Sequence, residues 1–145
     1  MAKLSEVIAD SARRKAVVDD GVRVIDQEVS EKGGLSGIAI KGAFRVVQGI
    51  RPGFIPMALN HLLDDFSRQL DPFWEDCQAQ GGDARAYFNR RGADVANALL
   101  SITDTRARNA IGPARKTYDA LRPRAVEHVV TAMPRLADLV KKHAS

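Results

Sequence analysis

The sequence predicts an all-α fold: a compact single-domain array of six to eight helices spanning residues 1–145, around a central hydrophobic helical hairpin at about 35–70. Three observations predict it. Apolar residues recur at spacings of three and four, the period of an amphipathic helix, and no segment shows the period-two alternation of a half-buried strand. Capping residues, glycines and prolines punctuate these segments in the order that starts and stops helices. No low-complexity linker or fixed-period repeat divides the chain.

The first long helix is predicted from about Ala12 to Glu31, capped by Ser11. Val18, Val22, Ile25 and Val29 fall on one stripe, with Asp19, Asp20, Arg23 and Asp26 mostly off it. Gly21 inside this helix costs about 1 kcal/mol relative to alanine, which points to a close neighbour or a kink. A short helix over residues 5–9 precedes it or runs into it. Lys32-Gly33-Gly34 is a stop, with a basic last turn followed by glycine.

Ser36 has the chemistry of the next cap, and Leu35 and Ile40 the spacing of a hydrophobic staple. From there to about Ile50 the helix is apolar around most of its circumference. Its polar residues, Lys41, Arg45 and Gln48, form one narrow stripe, so the pattern predicts a central helix with neighbours on several sides. Arg51-Pro52-Gly53 turns the chain, and Pro56 suits the first turn of a second helix buried through Leu59, Leu62, Leu63, Phe66 and Leu70. So short a connection makes the two helices antiparallel neighbours.

Asp71-Pro72 reads as a restart, with Phe73, Trp74 and Cys77 on the new element and Gly81-Gly82 ending it. Asp83 caps a segment anchored by Tyr87 and Phe88, and Gly92 breaks it before Val95, Ala98, Leu99 and Ile102. Asp104 or Thr105 caps a short helix to about Ala110. Pro113 opens a helix with Tyr118 and Leu121, and Arg122-Pro123 is a joint. Val126, Val129, Val130 and Met133 share a face with Leu136, Leu139 and Val140, and Pro134 kinks or divides that last helix.

Composition sets the class. With 45% hydrophobic and 28% charged residues the chain is an ordinary globular protein. A domain of this length buries roughly 68–70% of the surface its unfolded chain exposes, so it needs no covalent staple. The single Cys77 cannot form an internal disulfide, and it is expected to be an ordinary buried or half-buried thiol. Glu6 and Asp10 interrupt any signal-peptide core, and no uncharged run approaches the roughly 18 apolar residues of a membrane span. A cytoplasmic protein without a transmembrane segment is expected.

Candidate chemistry is sparse. His61 and Asp65 share a helix face, but a metal needs further ligands, and no HExxH or Glu-x-x-His pair occurs. Asp64-Asp65 and Glu75-Asp76 are adjacent and diverge by about 100°, so neither is a convergent acid/base pair. There is no nucleophile elbow and no glycine-rich phosphate loop. No cofactor is called for, and the reading favours a non-enzymatic protein.

Two sets of cations are the candidate binding residues. Lys41 and Arg45 stand on the most apolar helix; an anionic headgroup or partner is one occupant, and carboxylates at Asp64 or Asp65 are the internal alternative. Net charge is +4, and the surplus lies in residues 104–145. There Arg106, Arg108, Arg115, Lys116, Arg122 and Arg124 form a basic group suited to phosphate or nucleic acid, although acids interleave and no DNA-binding motif accompanies them.

The pieces K-G-G-L-S-G-x-A-I-K at 32–41, I-R-P-G-x-I-P at 50–56, L-D-P-F-W at 70–74 and H-V-V-x-A-M-P-R-L at 128–136 run through most of the chain. In them it resembles an uncharacterised family of small all-helical bacterial proteins. The resemblance implies bacterial origin and one helical domain, and it transfers no activity, cofactor or site. The leading functional expectation is a non-enzymatic helical interaction or structural protein, with self-association through leftover apolar faces as one form of it. The alternatives are a carrier of an apolar or acyl ligand in a helical cavity, with Lys41 or Arg45 at its headgroup, and an anion or nucleic-acid binder through the basic C-terminal third.

Overall fold

The computed structural model describes residues 3–144, and every element in it is helical. In chain order the α-helices are α1 (Leu4–Val7), α2 (Ser11–Glu31), α3 (Gly34–Ile50), α4 (Phe54–Ala79), α5 (Ala84–Arg90), α6 (Gly92–Ala107), α7 (Gly112–Leu121), α8 (Ala125–Thr131) and α9 (Met133–Ala144), with a 3₁₀ turn at Arg122–Arg124.

The all-α class is as the sequence predicts, but the centre lies elsewhere. The core is built on α4, whose Leu63, Leu70, Trp74 and Cys77 are buried. Against it pack α1, α2, α5 and α6, and α9 closes the core from behind α1, α2 and α5; these helices contribute Leu4, Val17, Phe88, Val95 and Val140. Only the second half of the predicted hairpin is therefore central. The first half, α3, has Gly37 as its sole buried residue and packs chiefly on α7, which has none. Its apolar circumference is real; this chain covers only part of it.

Local chemistry explains most boundaries. Asp10, not Ser11, caps α2 by accepting from the Arg13 N–H at 2.9 Å. Asp83 caps α5 through the Ala86 N–H, as predicted. Gly53, with φ of 73°, makes the left-handed turn that admits α4. Ser36 does not cap α3, which begins at Gly34 after Gly33, and Leu35 is too exposed to serve as a staple.

Asp71 does not restart a helix. It lies buried within an unbroken α4 and accepts from the Ser5 N–H at 3.3 Å and from the Ser5 hydroxyl, tying α1 to the core. Pro72 is tolerated inside α4; the residue one turn earlier whose carbonyl it leaves unbonded, Arg68, is exposed. Similarly, α6 continues through Asp104 and Thr105 to Ala107. Pro134 does divide the last segment, with the joint at Ala132.

Candidate functional site

Two features rise above ordinary core and surface. The first is the outer face of α3. A Cβ at Gly37 would stand 2.5 Å from the Lys32 carbonyl oxygen, so glycine allows α3 to fold tightly back on the end of α2. At the same end, Arg124 Nη1 donates to Ser36 Oγ at 2.8 Å and ties the helix to the 3₁₀ turn. The face turned outward carries Leu35 (87% exposed), Ile38 (70%), Val46 (49%) and Ile50 (37%). Between these lie Ala39, Gly42 and Gly49, and nothing in the described chain would touch a Cβ added at either glycine. Ile111, 86% exposed at the start of α7, is the one other large apolar side chain so exposed among the described residues.

Cations border this face. Arg45 is exposed and Lys41 half-buried along one edge of α3, and neither makes a hydrogen bond or ion pair among the described residues. On the other side, Lys116 lines a groove of about 450 Å³ between Val46 and the start of α7. Arg124 and His128 line a second groove, of about 260 Å³, beside Leu35 and Ala39. Burial, with the Lys32 and Arg124 charges, holds His128 below the ordinary histidine range, so this groove gains no charge from it near neutrality.

The internal partners expected for Lys41 and Arg45 are engaged elsewhere: Asp64 with Arg14 at 2.8 Å, and Asp65 with Arg68 at 2.6 Å and Arg106 at 3.1 Å. Because α3 is peripheral, its cations need no such partner. The C-terminal cations do not form one basic surface. Arg106 is held by Asp65, Arg115 by Asp119 at 3.1 Å, and Arg122 by Asp104 through two hydrogen bonds of 2.8 and 3.1 Å. Among the described residues Arg108 and Lys116 make no hydrogen bond or ion pair, and of this basic group Lys116 and Arg124 are brought beside α3.

The second feature is interior. A cavity of about 270 Å³ opens between α2, α4, α6, α8 and α9, walled by Gly21, Leu59, Phe66, Leu99, Val129 and Leu136 among others. Protein cores pack as densely as organic crystals and retain few voids larger than a water. This one would hold roughly nine waters at about 30 Å³ each, yet its walls offer them almost nothing to bond.

Thr103 alone among the lining residues has a polar side chain. Its Oγ1 lies 2.8 Å from the Tyr118 hydroxyl and 3.1 Å from the Leu100 carbonyl. Tyr118 in turn donates to Asp104, which Arg122 also holds. Those hydrogen bonds, Arg122 first and Tyr118 second, keep the Asp104 carboxyl below its usual range. Lys41 and Arg45 do not border this cavity, so neither stands at a headgroup within it.

Among the described residues no group of His, Cys, Asp and Glu could hold a metal ion, and no helix is long and apolar enough to cross a membrane. A family model described as a family of unknown function, DUF6918, matches residues 4–144. The chain belongs to the DUF6918 family. No curated protein and no solved structure matches it. The DUF6918 match runs from α1 to α9 and so takes in both features.

The sequence offered a helical cavity beside Lys41 and Arg45 as one alternative; the position of the cavity in this DUF6918 chain was not legible because each of its walls reads as core. The available signal was Gly21, an interior helix glycine that proves to sit at the cavity edge.

Proposed function

We propose that this chain is an interaction protein, and that the outer face of α3 seats a helix of a partner protein whose apolar stripe is flanked by carboxylates. The concentration of large exposed apolar side chains on α3 carries this reading. Scattered single hydrophobes are normal on a surface, whereas a contiguous patch rimmed by polar groups marks an interaction site. The occupant follows from charge: Lys41 and Arg45 on one side and Lys116 and Arg124 on the other favour a partner bearing acids at both margins.

A second copy fits less well. Two-fold pairing sets a patch against itself, and here it would set Lys41 and Arg45 of one copy near the same cations of the other. A membrane surface is also disfavoured, since interfacial faces draw on Trp, Phe and Leu, and this one has no aromatic residue and a flat middle at Gly42 and Gly49.

The test compares wild type with Ile38→Asp as baits in an extract of the source cells, followed by rebinding of the purified captured protein. The reading predicts one partner that rebinds wild type, binds the variant at least tenfold more weakly and is weakened by salt. Equal rebinding by the variant would remove the reading. So would a wild-type dimer dissociated by Ile38→Asp, or flotation with anionic vesicles in place of a protein partner.

A further inference from the structure

We infer that the interior cavity is a binding site for a neutral, chain-like apolar molecule of roughly ten carbons. The inference is independent of the α3 reading, since no residue of α3 lines the cavity.

Size comes first. A dry cavity of about 150 Å³ lined by Leu, Ile and Phe accepts benzene. The volume here, about 270 Å³, holds roughly ten to eleven carbons by the same ratio. Water is a poor occupant of walls made of leucine, isoleucine, valine and phenylalanine, and an apolar guest restores the dispersion contacts that an empty space forfeits.

Polarity comes second. No charged side chain lines the cavity, so a carboxylate drawn inside would lose its hydration without a counter-charge. That excludes a fully buried fatty-acid headgroup. Thr103 is the single polar lining residue, and its hydroxyl is bonded within the protein. Tyr118 spends its one proton on Asp104, so toward Tyr118 the Thr103 hydroxyl is the donor; its other protein contact, the Leu100 carbonyl, is an acceptor as well. The Thr103 hydroxyl is thereby taken up by protein partners, and the surface left to a guest is almost entirely apolar. A neutral guest is required along its whole buried length, and 1-decanol is a probe of that class.

Access comes third. The cavity is bounded by half-buried Leu59, Leu99 and Leu139 rather than by fully buried residues alone, so rotation of one or two leucine side chains admits a slender chain.

The experiment is thermal unfolding of the full chain with 1-decanol or decanoate at equal free concentration and neutral pH, with native mass spectrometry as a second readout. Wild type is expected to retain 1-decanol at one equivalent and to unfold about 5–10 °C higher at a hundredfold excess over Kd. Decanoate should give little or no shift. Leu99→Trp and Leu136→Trp, which fill the space, should remain folded without ligand and lose the decanol response. Absence of any decanol shift in wild type would overturn the inference, as would a decanoate shift of equal size. A folded tryptophan variant that keeps the full response would place the alcohol elsewhere and overturn it too. The wild-type arms decide by themselves if either variant fails to fold.

Discussion

A Cβ at position 21 would stand 2.6 Å from Leu59 Cδ2, so α2 and α4 approach closely where both meet the interior cavity. The obstacle is the end of a flexible side chain, and there is open space for it to enter. Gly21→Ala is therefore expected to move Leu59 into the cavity rather than to part the helices. The helix-propensity gain of about 0.5–1 kcal/mol then offsets the rotamer cost, leaving stability within about 1 kcal/mol of wild type. Urea unfolding checks this. A loss of more than about 3 kcal/mol would mean that the cavity does not accept Leu59.

Ser67 sets up a second prediction. Its side chain is fully buried on α4, and among the described residues its Oγ has no hydrogen-bond partner; Trp74 Nε1 on the same helix shares that state. A buried hydroxyl with no partner costs its desolvation, so Ser67→Ala should be neutral or stabilise by up to about 1 kcal/mol. A substantial loss on denaturant unfolding would reveal a partner for this hydroxyl.

The lone thiol should be inert. Cys77 is buried in the core, and that burial, aided by the Asp83 charge, pushes its pKa up. Folded protein mixed with a thiol-specific disulfide reagent at pH 8 should react no faster than it unfolds. Release of one equivalent within seconds would contradict the burial.

Acid should destabilise the fold in two stages. His128 has a lowered pKa when folded, so its contribution is present above the unfolded value near 6.5 and is lost as pH falls through that region. Asp104 is held below 3.8 by Arg122 and Tyr118. Burial alone would raise Asp20, but its hydrogen bonds from Lys142 and His143 win and leave it below 3.8 as well. Both carboxylates contribute above the unfolded carboxyl range, and that contribution disappears as pH falls through their folded values. Thermal unfolding from pH 7.5 to 2.5 checks the sequence of losses. Asp104→Asn should flatten the lower stage, and a Tm that rises toward pH 3 would refute the assignment.

Helix class and most breaks were legible because they depend on local chemistry: the stop at Lys32-Gly33-Gly34, the Asp83 cap, the break at Gly92 and the division near Pro134 all hold. Asp71 and Asp104 misled for a shared reason. A short polar side chain caps a helix only when no tertiary donor claims it, and here Ser5 claims the first while Tyr118 and Arg122 claim the second.

The location of α3 was illegible for a different reason. Periodicity reports which faces are apolar and cannot report whether this chain or another molecule covers them. The cavity was hidden still more deeply, since the absence of a side chain leaves no pattern in the residues around it. Of the candidate residues, Lys41 and Arg45 keep their interest, but as the margin of an exposed face rather than as charges embedded in a core.

That face offers the most direct test. A photo-crosslinking residue placed at Ile38, in intact source cells, reports what covers α3, with the same residue at Arg85 on α5 as a control. The account predicts a single crosslinked protein at position 38, reduced by Lys41→Glu combined with Arg45→Glu, and not formed from position 85. Crosslinks only between copies of this chain, or none at position 38 while position 85 reacts, would contradict it.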